Sequence, residues 1–430
     1  MRSSIIVLLG FSLFGAKAEA QYILVPMDGE QNNHLKAYGL TYWALEQGVT
    51  AEWLLNYRAG AFLLPDRPDV RREAALRGVT ADPATAGQVA QIRAEIEESN
   101  METIILEKAP KIAVYTPVKG SASMAGSGPG YVNPWDDAVT LALDYADIPY
   151  DKVWDSEVLQ GRLKEYEWLH LHHEDFTGQY SKFYISHAGS PWLQEAVRMN
   201  EAVARQFNFA HVPALKKAVA EEIRRYVAEG GFLFAMCTAT ETLDLALAAA
   251  NVDIAAAFSD GTGIDPNATQ KMQWDRTFAF QDGEVQINPG VNSFSDIDGH
   301  QVNTPWRQPL GAYNLFDFSS KFDPVPSMLV QNHENVLGDF YGLTTSFRRD
   351  RIRPGIIVLA EEEGTGWTKY IHGNLGEGTF TFLGGHDPED PQHQIGDAPT
   401  DLNMHPHSPG YRLILNNVLF PAAKKKTLKT

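Results

Sequence analysis

The chain has 430 residues, of which 44% are hydrophobic, enough to build one large domain with an appendage or two domains. It carries 54 acidic and 36 basic residues, a formal net charge of −18. This charge argues against a general nucleic-acid binder, which needs a basic surface to neutralise phosphates. Cys237 is the only cysteine, so the chain has no internal disulfide.

The N-terminus predicts an exported protein. Arg2 precedes an apolar run from Ile5 to Gly15, which is too short to cross a bilayer as a helix of the mature protein. The run leads into Ala18-Glu19-Ala20, which has the small residues that a signal peptidase accepts. We therefore expect residues 1–20 to be a signal peptide, cleaved before Gln21. The mature protein would be periplasmic or secreted, with no membrane span.

Apolar periodicity predicts two series of strands and helices after the signal peptide. Residues 21–108 form the first, a small β-α-β segment, with predicted strands at 22–25 and 51–57 and helices at 34–47 and 84–99. Residues 109–250 form the second, with predicted strands at 111–115, 151–155, 166–173 and 232–236 and helices at 136–145, 213–229 and 240–250.

Residues 251–350 interrupt this rhythm, because they are rich in Asn, Asp, Gly and aromatic residues, and they indicate an insertion of loops and short antiparallel strands. The rhythm resumes over 351–423, with an apparent hairpin at 355–360 and 367–371, a strand at 378–383 and a helix at 410–419, before a basic tail at 424–430. Strands alternating with helices favour an α/β fold built on a doubly wound, mainly parallel sheet with flavodoxin-like layering.

Cys237 lies where ligands bind in such a sheet, directly after a predicted strand and just before a helix. The N-terminal dipole of that helix favours the reactive thiolate form. A nucleophile also needs a base, and His386 follows another predicted strand, with Asp387 and Glu389 close behind it. Cys237 is therefore a candidate nucleophile. A thiol that only lines a ligand site and a plain core residue stay open as alternatives.

The elbow Phe234-Ala235-Met236-Cys237-Thr238-Ala239-Thr240, the strand series from Lys111 and Gly384-Gly385-His386 before a terminal helix resemble the class I glutamine amidotransferase-like superfamily, including its trehalose-utilisation-type proteins. The resemblance covers about 110–422. It implies a Cys-dependent amidase or hydrolase acting on an amide or related acyl substrate. Cys237 would then be the nucleophile, His386 the base and Glu389 or Asp387 its orienter, with backbone N–H groups around Thr238 binding the oxyanion.

The whole chain also resembles exported bacterial proteins labelled asparagine synthetase B. The similar stretches are Asn33–Gly39, Trp53–Arg58, Leu169–Phe176 and Phe234–Cys237. An asparagine synthetase has an N-terminal Cys nucleophile and a Ser-Gly-Gly-x-Asp-Ser loop. The expected mature chain starts at Gln21, and that loop does not occur in the sequence. The resemblance therefore does not predict the synthetase reaction.

The densest group of titratable residues is His170-Leu171-His172-His173-Glu174-Asp175. At the carboxyl end of a strand, His172, His173 and Glu174 could reach the cleft of Cys237 and bind substrate together with Thr238. His170, His172 and Glu174 could also hold zinc with an open position. Their spacing is not a recognised metal signature, so we predict no cofactor and keep a zinc hydrolase as an alternative.

A third function stays open, a non-catalytic ligand-binding or scaffold protein using the same cleft. Trp274, Trp306 and Tyr313 would then stack on a carbohydrate. The expected partner is a small molecule or a carbohydrate rather than a nucleic acid. The sequence does not indicate the substrate or the oligomeric state.

Overall fold

The computed structural model describes residues 21–117, 137–299, 312–331, 334–338, 340, 342–390 and 398–424. The predicted signal peptide, Trp306 and residues 425–430 of the predicted tail lie outside the described residues. Among the described residues, no helix has both the length and the apolar character needed to cross a bilayer.

The strands and helices alternate through most of the chain. The strands are β1 (Tyr22–Val25), β2 (Ala51–Leu55), β3 (Ala61–Pro65), β4 (Asp82–Ala84), β5 (Glu102–Leu106), β6 (Ile112–Tyr115), β7 (Asp151–Val153), β8 (Trp168–Leu171), β9 (Phe232–Met236), β10 (Ala312–Leu315), β11 (Val336–Gly338), β12 (Phe347–Arg348), β13 (Ile357–Glu362), β14 (Trp367–Leu375) and β15 (Gly378–Leu383). The helices are α1 (His34–Glu46), α2 (Pro68–Arg77), α3 (Ala86–Glu98), α4 (Ala138–Tyr145), α5 (Asp155–Leu159), α6 (Tyr184–His187), α7 (Pro191–Gln206), α8 (Val212–Ala228), α9 (Thr238–Ala248), α10 (Ala257–Asp260), α11 (Ala268–Lys271), α12 (Pro324–Leu329) and α13 (Pro409–Leu419).

The N-terminal segment forms an antiparallel sheet of its own, with the order β4-β1-β3-β2-β5. The predicted succession of strand, helix and strand is present as β1, α1 and β2, but β3 lies between the two strands and pairs antiparallel with both. The sheet packs onto the rest of the molecule through α1. The Tyr38 hydroxyl of α1 donates a hydrogen bond to Asn416 Oδ1 of α13 at 2.5 Å.

The main sheet has the order β11-β10-β13-β14-β15-β9-β8-β6-β7, with β12 paired to β14. Strands β7, β6, β8, β9 and β15 run parallel, whereas β14, β13, β10, β11 and β12 add antiparallel pairings. The expectation of a mainly parallel sheet is therefore wrong, and the sheet is mixed. The cause is the short connection of two residues between β14 and β15, because a parallel crossover needs a dozen residues or more.

Helices cover both faces of the parallel half. Along β9, Phe232, Phe234 and Met236 belong to one apolar core, which also contains residues of α1, α4 and α13. The alternate residues Leu233 and Ala235 belong to a second core with residues of α8 and α9. This alternation follows from the two-residue period of a strand. It leaves the carboxyl ends of the parallel strands as the edge where polar side chains gather.

Residues 251–350, predicted as an insertion, contribute β10, β11 and β12 in their described part to the antiparallel side of the sheet, together with three short helices, α10, α11 and α12. Some boundaries differ from the prediction. The strand expected at 166–173 ends at Leu171, and Trp154 and Asp155, expected in a strand, begin helix α5.

Candidate metal centre and its cleft

Three neighbouring parallel strands deliver the candidate site residues to one edge of the sheet. Strand β8 ends at Leu171, so His172 and His173 lie in the loop that follows it. Strand β9 ends at Met236, directly before Cys237, and β15 ends at Leu383, three residues before His386. Because β8 and β15 both pair with β9 in parallel, these three carboxyl ends lie side by side.

The imidazoles of His172, His173 and His386 form one cluster, in which the candidate ligand nitrogens all lie within 4.8 Å of one another. His386 Nε2 and His173 Nε2 are 2.9 Å apart, and the rings of His172 and His173 stack with centroids 3.9 Å apart. Tetrahedral zinc with Zn–N bonds of about 2.0–2.1 Å needs ligand nitrogens about 3.4 Å apart. The three side chains are thus arranged in a way that could hold a divalent metal ion.

Asp137 contacts one member of this cluster. Its Oδ1 lies 3.2 Å from His172 Nδ1 and 3.3 Å from His170 Nε2, and these contacts are ion pairs when the imidazoles are protonated. The same carboxylate caps α4 by accepting hydrogen bonds from the Val139 and Thr140 amides. Burial alone would raise the pKa of Asp137, but the two histidines lower it well below its ordinary value.

An acidic partner on Nδ1 leaves His172 Nε2 to point at a metal, which is the arrangement found around many metal-binding histidines. Asp137 is the residue of this arrangement that sequence analysis missed. The sequence showed only an acidic residue in the first turn of the helix predicted at 136–145, where carboxylates are common because they favour the helix dipole.

The zinc set expected from the sequence was His170, His172 and Glu174, and of these only His172 belongs to the three-histidine cluster. His170 lies on β8, where its Nδ1 is 3.0 Å from the Phe234 carbonyl oxygen, and it forms with Asp137 and His172 a second group that could hold a metal ion. Glu174 Oε2 instead contacts Lys216 Nζ at 3.5 Å. The strand ends two residues earlier than expected, so His172 and His173 both lie in the loop after it.

A cleft with a volume of about 290 Å³ opens beside the cluster. His172, His173 and Glu174, expected to contact substrate, do line it, and so does Asp137. Thr238 does not line this cleft, and its side chain is buried. The cleft continues over aromatic side chains from four parts of the chain, namely Tyr115 of β6, Trp154 before α5, Tyr180 and Phe183 before α6, and Trp192 of α7.

A buried ionic cluster forms the floor of the cleft. Lys216 of α8 is 3.0 Å from Asp155 Oδ2 and 3.5 Å from Glu174 Oε2, and the Tyr115 hydroxyl donates a hydrogen bond to Asp155. Burial lowers the pKa of Lys216, but the two carboxylates outweigh it and raise that pKa above its ordinary value. Lys216 therefore stays charged, and its charge is neutralised by the protein rather than offered to a ligand.

Cys237 adopts a strained backbone conformation between β9 and α9, with φ 50° and ψ −138°. Its side chain is 2% exposed, and burial raises the pKa of the thiol despite hydrogen bonds from Thr238 and the Leu343 and Thr344 amides that lower it. The sulfur lies 3.7 Å from Thr238 Oγ1. Within the described residues, no hydrogen bond joins this thiol to His386, which instead contacts His173.

The two carboxylates expected to orient His386 have other partners. Asp387 accepts hydrogen bonds from the Tyr411 hydroxyl at 2.7 Å and from the Glu389 amide at 2.8 Å. Glu389 Oε2 is paired with His405 Nδ1 at 3.0 Å. These contacts hold the chain after β15 against the start of α13 and the loop before it.

Of the aromatic residues expected to stack on a carbohydrate, Trp274 and Tyr313 do not line the cleft, and Trp306 lies outside the described residues. Tyr313 is fully buried on β10, where the Lys369 ammonium lies 4.8 Å from its ring centroid. Trp274 is half-buried and packs beside Gly283. The aromatic lining of the cleft comes instead from around α5 and from the region of α6 and α7.

No protein-family model matches the sequence, and no curated protein does. Two cytoplasmic proteins from Salmonella typhimurium are similar in structure, each with a TM-score of 0.34, and their sequence identities to this chain are 10% and 11%. Each match spans 73% of this chain, and it spans 100% of the first protein and 99% of the second. A β-galactosidase from Bacillus circulans is similar with a TM-score of 0.26 and 13% identity, over 70% of this chain and 31% of the enzyme. These values support no inference about function.

Proposed function

We propose that this protein is a metal-dependent hydrolase that uses a divalent cation, zinc, held by His172, His173 and His386. The observation that carries the proposal is the convergence of three imidazole nitrogens within 4.8 Å, two of which, on His172 and His173, belong to residues that line a cleft. Three histidines leave the fourth position of tetrahedral zinc open, as catalytic zinc sites require.

The surroundings of the cluster support a catalytic site rather than a purely structural one. A structural zinc site is closed by four protein ligands, whereas among the described residues this cluster offers three, and two of them line a cleft. A zinc ion held there would lower the pKa of a bound water and so supply the nucleophile for hydrolysis at neutral pH. Asp137 would fix the orientation of the His172 ring, and Glu174 places a carboxylate in the cleft directly after His173.

Metal titration tests the site itself. Protein stripped with a chelator should bind one zinc ion per chain in competition with a chromophoric chelator, and cobalt(II) should give the visible spectrum of a tetrahedral complex. His386→Ala should weaken binding by more than the roughly 10–100-fold typical of an outer-shell change. His187→Gln, which alters a histidine outside the cluster, should leave the affinity unchanged. Substoichiometric binding by the wild type, or equal affinity in His386→Ala, would refute the proposal.

A second candidate function keeps the amidotransferase-like Cys nucleophile. The observation in its favour is the positive φ of Cys237 at a strand-to-helix turn, the conformation of a nucleophile elbow. The strand order β7-β6-β8-β9-β15 is also the flavodoxin-like order when these five strands are numbered along the chain. It supports a doubly wound, amidotransferase-like parallel half.

One pair of variants separates the two functions. With chromogenic esters and amides as substrates, the zinc proposal expects Cys237→Ala to keep activity and His386→Ala to lose it, with chelator inhibiting the wild type and zinc restoring it. The thiol proposal expects Cys237→Ala to be inactive and the chelator to have no effect.

We further propose that the protein acts outside the cytoplasm after removal of residues 1–20, as the N-terminal sequence indicates. N-terminal sequencing of the protein recovered from an export-competent host tests this. The expected first residue is Gln21, and an intact Met1 on protein in the cytosol would refute it.

A further inference from the structure

The cleft continues well beyond the histidine cluster, and its far wall is aromatic. Phe183 and Trp192 meet edge to face there, with ring centroids 5.9 Å apart and an interplanar angle of 85°. Both rings are half-buried, so each keeps accessible surface. Tyr180 and Trp154 extend the wall towards the floor.

The loop that carries this wall is held in a strained conformation. Tyr180, Ser181 and Lys182 are three consecutive left-handed residues, with φ 55°, 53° and 56°. Left-handed backbone is unfavourable for residues that carry a Cβ atom. The Asp175 carboxylate stabilises the loop by accepting hydrogen bonds from the Thr177, Gln179 and Ser181 amides.

Two polar atoms on the cleft residues are buried and lack a hydrogen-bond partner among the described residues. One is Trp154 Nε1, a donor, and the other is Asn200 Oδ1, an acceptor. The orientation of the Asn200 amide is fixed, because its Nδ2 donates to the Ala196 carbonyl oxygen at 2.8 Å. Buried polar groups are normally hydrogen-bonded, so an unsatisfied donor and acceptor in one cleft point to a ligand that offers both functions.

The charges of the cleft do not favour an anion. Asp137, Glu174 and Asp175 line it together with Lys152 and Lys216, and Lys216 is already neutralised by carboxylates. Apart from a metal ion at the histidine cluster, a phosphate or carboxylate ligand would thus meet more negative than positive charge from the side chains of the cleft. A hydroxyl group, in contrast, both donates and accepts, and the apolar face of a sugar ring packs on an aromatic ring.

We propose that this cleft binds an uncharged, polyhydroxylated substrate, a neutral mono- or disaccharide or its glycoside, with the sugar packed on Trp192 and its hydroxyl groups reaching Trp154 and Asn200. This inference rests on the proposed function, because it names the substrate class of the same cleft. The wall that recognises the sugar is distinct from the three histidines, so the two ideas can fail separately.

Saturation-transfer NMR tests the inference with a panel of glucose, galactose, mannose, N-acetylglucosamine, maltose and cellobiose, and with glucuronate and glucosamine as charged comparators. At least one neutral sugar should bind at millimolar concentration, and more tightly than its charged counterpart. Trp192→Ala should weaken that binding about ten-fold, as the loss of one aromatic contact predicts, while Trp192→Phe should restore most of it. Trp274→Ala is the matched control and should bind as the wild type does.

The closing comparison uses the metal-site variant. His386→Ala should still bind the sugar, whereas Trp192→Ala should still bind zinc. Sugar binding without zinc binding in the wild type refutes the metal proposal and leaves this inference standing. The inference is overturned if no neutral sugar binds, if Trp192→Ala binds as well as the wild type, or if glucuronate binds best.

Discussion

Replacing Asp137 by Asn tests whether this carboxylate supports the metal centre electrostatically. The substitution keeps the size of the side chain and removes its negative charge beside His170 and His172. Asp137 also caps α4, but Asn caps helices about as well as Asp, so the cap is retained. Asp137→Ala removes both functions and costs about 0.5–2 kcal/mol in helix capping.

The expected effect on zinc affinity follows from the contact of Asp137 with His172 Nδ1. Loss of such an outer-shell partner typically lowers metal affinity 10–100-fold, which corresponds to about 1.4–2.8 kcal/mol. We therefore expect Asp137→Asn to bind zinc 10–100-fold more weakly than the wild type. Its metal-free form should unfold in urea with a free energy closer to the wild type than that of Asp137→Ala.

The assay is competition of each protein with a chromophoric zinc chelator, together with urea unfolding of the metal-free proteins. The reasoning is refuted if Asp137→Asn binds zinc as tightly as the wild type. It is refuted as well if zinc binding and stability fall in parallel in the two variants, because Asp137 would then act only as a helix cap.

Three further predictions concern stability. A Cβ atom on Gly342 would lie 2.8 Å from Cys237 Sγ, so Gly342→Ala should lower the free energy of unfolding in urea by about 1–3 kcal/mol, and by less when Cys237 is also replaced by Ala. The control is Gly338→Ala, whose Cβ would meet no atom within 4 Å. An equal cost of Gly342→Ala in the wild type and in Cys237→Ala would contradict the contact. Lys216→Met leaves the carboxylates of Asp155 and Glu174 without their buried cation and should lower the free energy of unfolding by about 3–5 kcal/mol. A change of less than about 1 kcal/mol would show that the ionic cluster does not stabilise the fold. Burial raises the pKa of Glu241 from 4.5 to about 7, so the stability that its protonated side chain contributes is fully present below pH 4.5 and is lost as the pH rises through 7. Between pH 5 and pH 8 the free energy of unfolding of Glu241→Gln should therefore rise by about 2–3 kcal/mol relative to that of the wild type, and parallel stability profiles of the two proteins would contradict this.

Local patterns of the sequence were sufficient for the elements whose burial is regular. Strands β1, β9 and β15 lie where their apolar runs predicted, and α1, α8 and α13 lie within two residues of prediction. A continuous apolar run or a stripe at helical spacing is a local property of the chain, and so is the Pro at the first turn of α8. Helix α7 was missed, although the Pro at its first turn was a usable signal.

Local sequence patterns did not determine which strands pair or, for most pairs, in which direction. The antiparallel half of the main sheet and the insertion of β3 between β1 and β2 depend on which strands meet in three dimensions. An apolar strand looks the same in sequence whether its neighbour runs parallel or antiparallel to it. Two local features indicated the change in direction: the hairpin predicted at 355–360 and 367–371, which is the antiparallel pair β13 and β14, and the short turn between β14 and β15.

The sequence by itself determined that polar residues would follow β8, β9 and β15, and that the carboxyl ends of parallel strands meet at one edge. Tertiary structure alone decided how they combine, with His386 beside His173 rather than hydrogen-bonded to Cys237, and Asp137 behind His172. The physical reason is that the exit angle of each chain from its strand sets where a side chain lies to within an ångström. That angle depends on packing against distant residues, such as Gly342 beside Cys237, which no local pattern of the sequence records.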